Sequence, residues 1–144
     1  MAVEYAAVEL QTVPANQNLV FSDTIIPCNK GYVVHRNGSG LFKLRGLTNQ
    51  CKARYRVSFG ANIAVPTGQA IGPISLAISI SGEPVRSTVA TVTPTALDAF
   101  FNVSADVFIE VDRGCCVDVS IENVSDPAIP ISVQNANLII DRVA

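Results

Sequence analysis

Five carboxylates crowd one stretch of the chain: Asp106, Glu110, Asp112, Asp118 and Glu122. Clustered carboxylates are the residue type that holds Ca²⁺ through oxygen or that divides acid and base work between two groups. Phe108 interrupts their polar face, and no calcium loop of EF-hand spacing follows. The favoured reading is therefore a solvated or partner-facing row. The single histidine, His35, has no Ser or Cys motif beside it and reads as a surface hairpin residue. One histidine makes a Ser-His-Asp triad hard to build and falls short of a cupin-type metal set. Cys28, Cys51, Cys115 and Cys116 form no C-x-x-C pair, so zinc-ribbon and thioredoxin readings fail. At least two of them read as small buried hydrophobes, and a Cys28–Cys51 disulfide stays open. Asn37-Gly38-Ser39-Gly40 lacks the Gly-Lys-Ser/Thr end of a phosphate cradle and reads as a turn. The residues point to no catalytic group, metal or cofactor, and the chain reads as a non-enzyme.

The elements that carry these residues announce themselves by alternation. From Arg54 to Pro66 the odd positions Tyr55, Val57, Phe59, Ala61, Ile63 and Val65 are apolar, the even ones polar or small. That is a strand with one core face. Phe101–Asp112 repeats the pattern, turns at Asp112-Arg113-Gly114, and resumes as Cys115, Val117, Val119 and Ile121, which reads as a β-hairpin. A second hairpin joins Tyr32–Arg36 to Leu41–Arg45 through Asn37-Gly38, whose residues tolerate positive φ. Ile74–Ile80 and Val85–Thr93 read as strands, as does Tyr5–Val13, which stops at Pro14. In Ile131–Val143 the apolar phase switches from Ile131 and Val133 to Ala136, Leu138 and Ile140, which predicts a bulge at Gln134-Asn135. Pro94–Asp98 holds one helical turn at most. Eight to ten strands with no helix is an all-β antiparallel sandwich or barrel.

At 144 residues and 49% hydrophobic content the chain fits one domain that needs no staple to fold. The partition expected is an N-terminal strand or arm over 1–14 and a single sandwich domain over 15–144. No stretch approaches the roughly 18 apolar residues of a membrane helix. The first ten residues carry Glu4 and Glu9 and no basic start, so no signal peptide is read. The sequons at Asn37, Asn102 and Asn123 are then chance matches. A net charge of −2 conceals two regions: seven cations and no acid lie between Asp23 and Glu83, while the rest holds all twelve acids and three cations. Either the fold interleaves these strands and mixes the signs, or a basic patch (Lys43, Arg45, Arg54, Arg56) meets an acidic one (Asp106, Glu110, Asp118, Glu122) on a neighbour. Tyr32, Phe42, Tyr55 and Phe59 alternate with cations, yet Tyr55 and Phe59 face away from Arg54 and Arg56. No nucleic-acid platform results.

Three stretches carry a family resemblance: Tyr55–Val65, Val107–Asn123 and Ala136–Val143. They resemble the central strand, the hairpin near the end and the closing strand of the trimeric jelly roll of tumour necrosis factor and the complement globular head, in particular phage and bacterial spore-surface members. The resemblance spans about 15–144 and departs from the family in having no collagen-like Gly-x-y stalk. It implies a jelly-roll sandwich, a homotrimer and no catalytic residues. For this chain it implies a phage virion protein made in the host cytoplasm, a head-surface decoration that binds the major capsid protein or another virion protein. The alternative is an adhesin or fibre tip that binds a host-surface glycan. Phe108, a large apolar residue on an acidic face, is either covered within the domain or an interface anchor.

Overall fold

The computed structural model describes residues 2–28 and 30–144. In chain order the strands are β1 (Ala2–Ala7), β2 (Gln11–Val13), β3 (Asp23–Ile26), β4 (Val33–His35), β5 (Phe42–Arg45), β6 (Lys52–Ala64), β7 (Ile74–Ile80), β8 (Glu83–Pro84), β9 (Ala90–Val92), β10 (Phe101–Asp112), β11 (Cys116–Asn123) and β12 (Ile131–Arg142). They form two antiparallel sheets. Sheet A runs β10-β6-β12-β1-β3, with β2 also on β12; sheet B runs β4-β5-β11-β7-β8, with β9 also on β7. This is the antiparallel sandwich that the alternation predicts, in the jelly-roll form that the resemblance implies.

The apolar sides of the two sheets meet in one core. The odd residues of β6, Tyr55 through Ile63, are buried beside Leu138 and Ile140 of β12, and face Phe42, Leu44, Ile78, Val119 and Ile121 from sheet B. Each such side chain contributes about 1.5–3 kcal/mol by leaving water. One end of the core is closed by polar groups. The Tyr55 hydroxyl donates to the Arg45 carbonyl at 2.6 Å, and the Arg142 guanidinium lies 4.7 Å from the centre of the Tyr32 ring. Elsewhere the buried Asn123 amide donates to the carbonyls of Val13 and Ile129 and accepts from Ser125. One side chain thus ties the end of β2 to the turn before β12, and its burial takes it out of reach as a sequon.

Several expectations hold. β4 and β5 form the Asn37-Gly38 hairpin, with Gly38 at φ 87°. The register of β12 slips between Gln134 and Asn137, with Asn135 at φ 52°. That is the bulge required by the phase switch.

Others are corrected. β10 and β11 are not a hairpin: β10 pairs with β6 in sheet A, and β11 pairs with β5 and β7 in sheet B. The Asp112–Gly114 turn carries the chain from one sheet to the other. Alternation sets which side of a strand is apolar but is silent about which strand lies beside it. The expected strand over Tyr5–Val13 is broken into β1 and β2, which pair with β12 on either side of its bulge. Residues 2–13 are no projecting arm, because β1 lies between β12 and β3 and buries Val3 and Tyr5. Val85–Thr93 is interrupted by a 3₁₀ turn at Arg86–Thr88, held by the Thr88 hydroxyl donating to the Val85 carbonyl at 2.7 Å. Over Pro94–Asp98 no helix forms, in keeping with the limit of one turn set by the sequence. Cys51, Cys115 and Cys116 are exposed and Cys28 half-buried, and none is bonded to another. At least two buried cysteines were expected, but Cys51 and Cys115 sit on loops outside the core and Cys116 points outward from β11.

The corner is closed by Gly46. Its N–H donates to the Cys115 carbonyl at 2.8 Å, and its carbonyl accepts from the Gly114 N–H at 3.0 Å. A Cβ at Gly46 would lie 2.0 Å from the Asp112 carbonyl oxygen, whereas one at Gly72 would meet nothing within 4 Å. Gly46→Ala is expected to cost about 3 kcal/mol or more by forcing two backbones apart. Gly72→Ala should stay within about 0.5 kcal/mol of the parent. Denaturant titration of the two variants side by side checks this.

Candidate assembly interface

The long β6–β10 ladder brings the two charge regions of the sequence together within one chain. Its register sets Lys52 opposite Asp112 and Arg54 opposite Glu110, while Arg56, opposite Phe108, reaches diagonally to Asp106. All three pairs close: Lys52–Asp112 at 3.8 Å, Arg54–Glu110 at 3.2 Å, and Arg56 bidentate on Asp106 through Nε and Nη2. The fold therefore interleaves the signs on the outer face of sheet A. Arg54, Arg56, Asp106 and Glu110 find their complements on the neighbouring strand. Side chains this exposed gain little from pairing, but the ladder cancels the local field.

The same register isolates Phe108. It lies opposite Arg56, points away from the core and is 63% exposed, left uncovered by the described residues. The rest of the face is divided. Toward the corner lie the ion pairs, with Asp141 of β12 opposite Arg56. Toward the other end, Ser104, Gly60, Asn137 and Ala6 line up across four strands, followed by Asn102 donating its amide to Asn62 at 3.2 Å. Across these four strands the stretch carries no charge and is built of small or short polar side chains, and the row ends in the exposed Asp23 on β3. Ile139 and Phe101 add partly exposed apolar surface to the face and to the start of the β10 edge.

The remaining candidates are on the opposite side of the molecule. Lys43 and Arg45 of β5 and Asp118 and Glu122 of β11 project from the outer face of sheet B. Lys43 lies opposite Asp118, Arg45 donates to the Gly31 carbonyl at 3.3 Å, and Glu122 accepts from the Ser79 hydroxyl at 2.7 Å. The five carboxylates thus do not share a site: Asp106, Glu110 and Asp112 sit on sheet A, and Asp118 and Glu122 on sheet B. Among the described residues no group of three His, Cys, Asp or Glu side chains is arranged to hold a metal. His35 is no free surface residue. Its ring stacks on Phe42 at 4.0 Å, and its two nitrogens lie 3.1 Å from the Leu41 and Phe21 carbonyls. Inspection of the sequence missed the space beside it, lined by Tyr5 and Cys28, because those residues come from strands that only the fold brings together.

With the geometry in hand, likeness to known proteins is confined to shape. No protein-family model matches the chain, and no curated protein matches it either. Among solved structures, it is similar to the globular domain of a zebrafish complement 1qA protein (TM-score 0.69, 17% identity, 99% of this chain and 97% of that one). It is also similar to Eiger TNF from S. frugiperda (TM-score 0.69, 8% identity, 100% and 92%) and to murine APRIL (TM-score 0.55, 8% identity, 98% and 99%). At these identities the likeness establishes the fold alone: a jelly-roll domain of the kind found in tumour necrosis factor and complement 1q.

The ion-pair ladder has a pH signature. The Arg56 guanidinium, helped by Ser58 and opposed by slight burial, holds the Asp106 carboxyl below the usual carboxylate range. A lowered folded value means that the pair stabilises the fold above the ordinary Asp range of about 4, and that this stabilisation is lost as pH falls through the folded value. NMR titration of the Asp106 carboxyl should show the depressed midpoint in the parent and a return to the ordinary range in Arg56→Gln. The small stability difference between the two proteins should vanish in acid.

Proposed function

We propose that the chain is a non-catalytic structural module that assembles as a homotrimer through the outer face of sheet A. The observation that carries this reading is Phe108. A large aromatic 63% exposed beside cations that are already paired with carboxylates of its own strand is an anchor without a pocket. A threefold ring is heterologous, so the anchor of one copy must meet a different patch on the next. The short side chains of Gly60, Ser104 and Asn137 leave room for that approach. The fold shared with the tumour necrosis factor and complement 1q structures supports the same reading.

The finer role we propose is a head-surface decoration of a phage virion, made in the host cytoplasm. The trimer would bind the major capsid protein through the outer face of sheet B. Lys43 and Arg45 suit that contact because they take no part in the three cross-strand ion pairs of sheet A.

Light scattering should give about three times the 15.2 kDa chain mass, falling to one chain in Phe108→Asp with an unchanged circular dichroism spectrum. A parent that stays monomeric at micromolar concentration overturns the trimer. Lys43→Glu/Arg45→Glu should keep the trimer mass and lose stoichiometric binding to emptied capsids. Binding to host cells or glycans in the absence of capsid would replace decoration with adhesion.

A further inference from the structure

The edge of the sandwich farthest from β10 is open. There β1 and β3 of sheet A face β4 of sheet B across a cavity of about 310 Å³, lined by Tyr5, Thr24, Cys28, His35 and Asn37 among others. Three observations set it apart from an ordinary surface dent. First, Tyr5 is only 4% exposed, yet its hydroxyl has no hydrogen-bond partner among the described residues. Tyr5 itself lines the cavity. Second, the Cys28 sulfur accepts the Val33 N–H at 3.5 Å. Burial pushes this thiol up, but the backbone N–H groups of Val33, Lys30, Tyr32 and Gly31 outweigh it and bring it below the ordinary thiol value. Third, the other candidate for proton chemistry is committed. Both nitrogens of His35 face backbone carbonyls at 3.1 Å. Burial and the neighbouring Cys28 push the Tyr5 phenol up, so it remains a hydrogen-bond donor.

We propose that Cys28 is a reactive thiol that exchanges with low-molecular-weight, peptide-like disulfides and holds the resulting adduct in this cavity against the Tyr5 hydroxyl. The Cys28 thiolate attacks one sulfur of the small disulfide. The new Cys28 S–S bond forms as the old one breaks, and the second half leaves as a thiolate that takes up the proton Cys28 released. Amide N–H groups favour the attacking anion, and exchange rates follow the thiolate fraction and access. The cavity is of the size that encloses small ligands. Its donors suit the carbonyls and carboxylates of a peptide-like thiol: the Tyr5 hydroxyl, and the amide nitrogen of Asn37, whose oxygen is taken by Thr24. The site is independent of self-association.

Access alone argues the other way, because Cys51, Cys115 and Cys116 are all more exposed than Cys28. That makes them internal controls. The fully reduced chain is treated with limiting glutathione disulfide, quenched with acid, and mapped by mass spectrometry. Cys28 is expected to carry the adduct first, at least about fivefold faster than any of the other three. Tyr5→Phe, which keeps the ring packing, should lower the yield at Cys28 roughly fivefold at equilibrium without changing the other sites. Labelling of Cys28 no faster than Cys51, Cys115 or Cys116 overturns the reactive thiol. An unchanged yield in Tyr5→Phe overturns the cavity as the adduct's seat.

Discussion

The β6–β10 ladder is the constraint on which the rest of the structure depends. Twelve residue pairs in unbroken register, from Lys52 opposite Asp112 to Ile63 opposite Phe101, set both faces of sheet A at once. On the inner side they place Tyr55, Phe59 and Ile63 beside Ile109 and Val103 in the core. On the outer side they place three cations against three carboxylates. A slip of one residue would turn every core side chain out to water and break all three ion pairs together. The ion pairs add little stability, but they penalise the wrong register. The ladder also delivers the chain to the corner at the one place where Gly46 lets Asp112 approach.

The kind of element was legible in the sequence because period-two alternation is a local property. β6, β7 and the β4–β5 hairpin could be read directly, and even the bulge in β12 followed from a reversed phase. Partners are not local. Cys115–Glu122 continues the alternation of Phe101–Asp112 after a three-residue turn, which suits a hairpin and a sheet-changing corner equally. The distinction lies in Gly46, far away in sequence, whose missing Cβ makes room for the turn. The same gap explains the charges. Two regions of opposite sign look like patches for different molecules until the strands that carry them prove to be neighbours.

Pairing of charges changes the meaning of what is left. Beside isolated cations, Phe108 could be read as an incidental apolar residue whose neighbours bind something acidic. Beside satisfied ones, it is the main unspent feature of the β10 half of the face. The uncharged stretch of the face, built from Gly60, Asn62, Ser104 and Asn137, lacks the bulk or charge that would keep a second backbone away. Desolvating such a surface costs less than desolvating free ions, so neutralisation inside the chain favours the assembly proposed for this face.

The two outermost strands of sheet A end it in different ways. β10 ends the sheet beside the exposed aromatic, and β3 ends it beside the thiol cavity, four strand spacings or about 19 Å away. Each marks a place where the sandwich is incomplete, but the incompleteness differs in kind. At β10 a finished sheet presents a side chain that lacks a pocket. At β3 the sheets themselves part, since Tyr5 and Cys28 sit where the next inward-facing side chains would have to come from a strand that is not there. The first gap suits a folded surface and the second a small molecule. A ring closed through Phe108 uses the outer face of sheet A, whereas the cavity opens between the sheets. Assembly through that face and occupation of the cavity are therefore geometrically compatible, and neither requires the other.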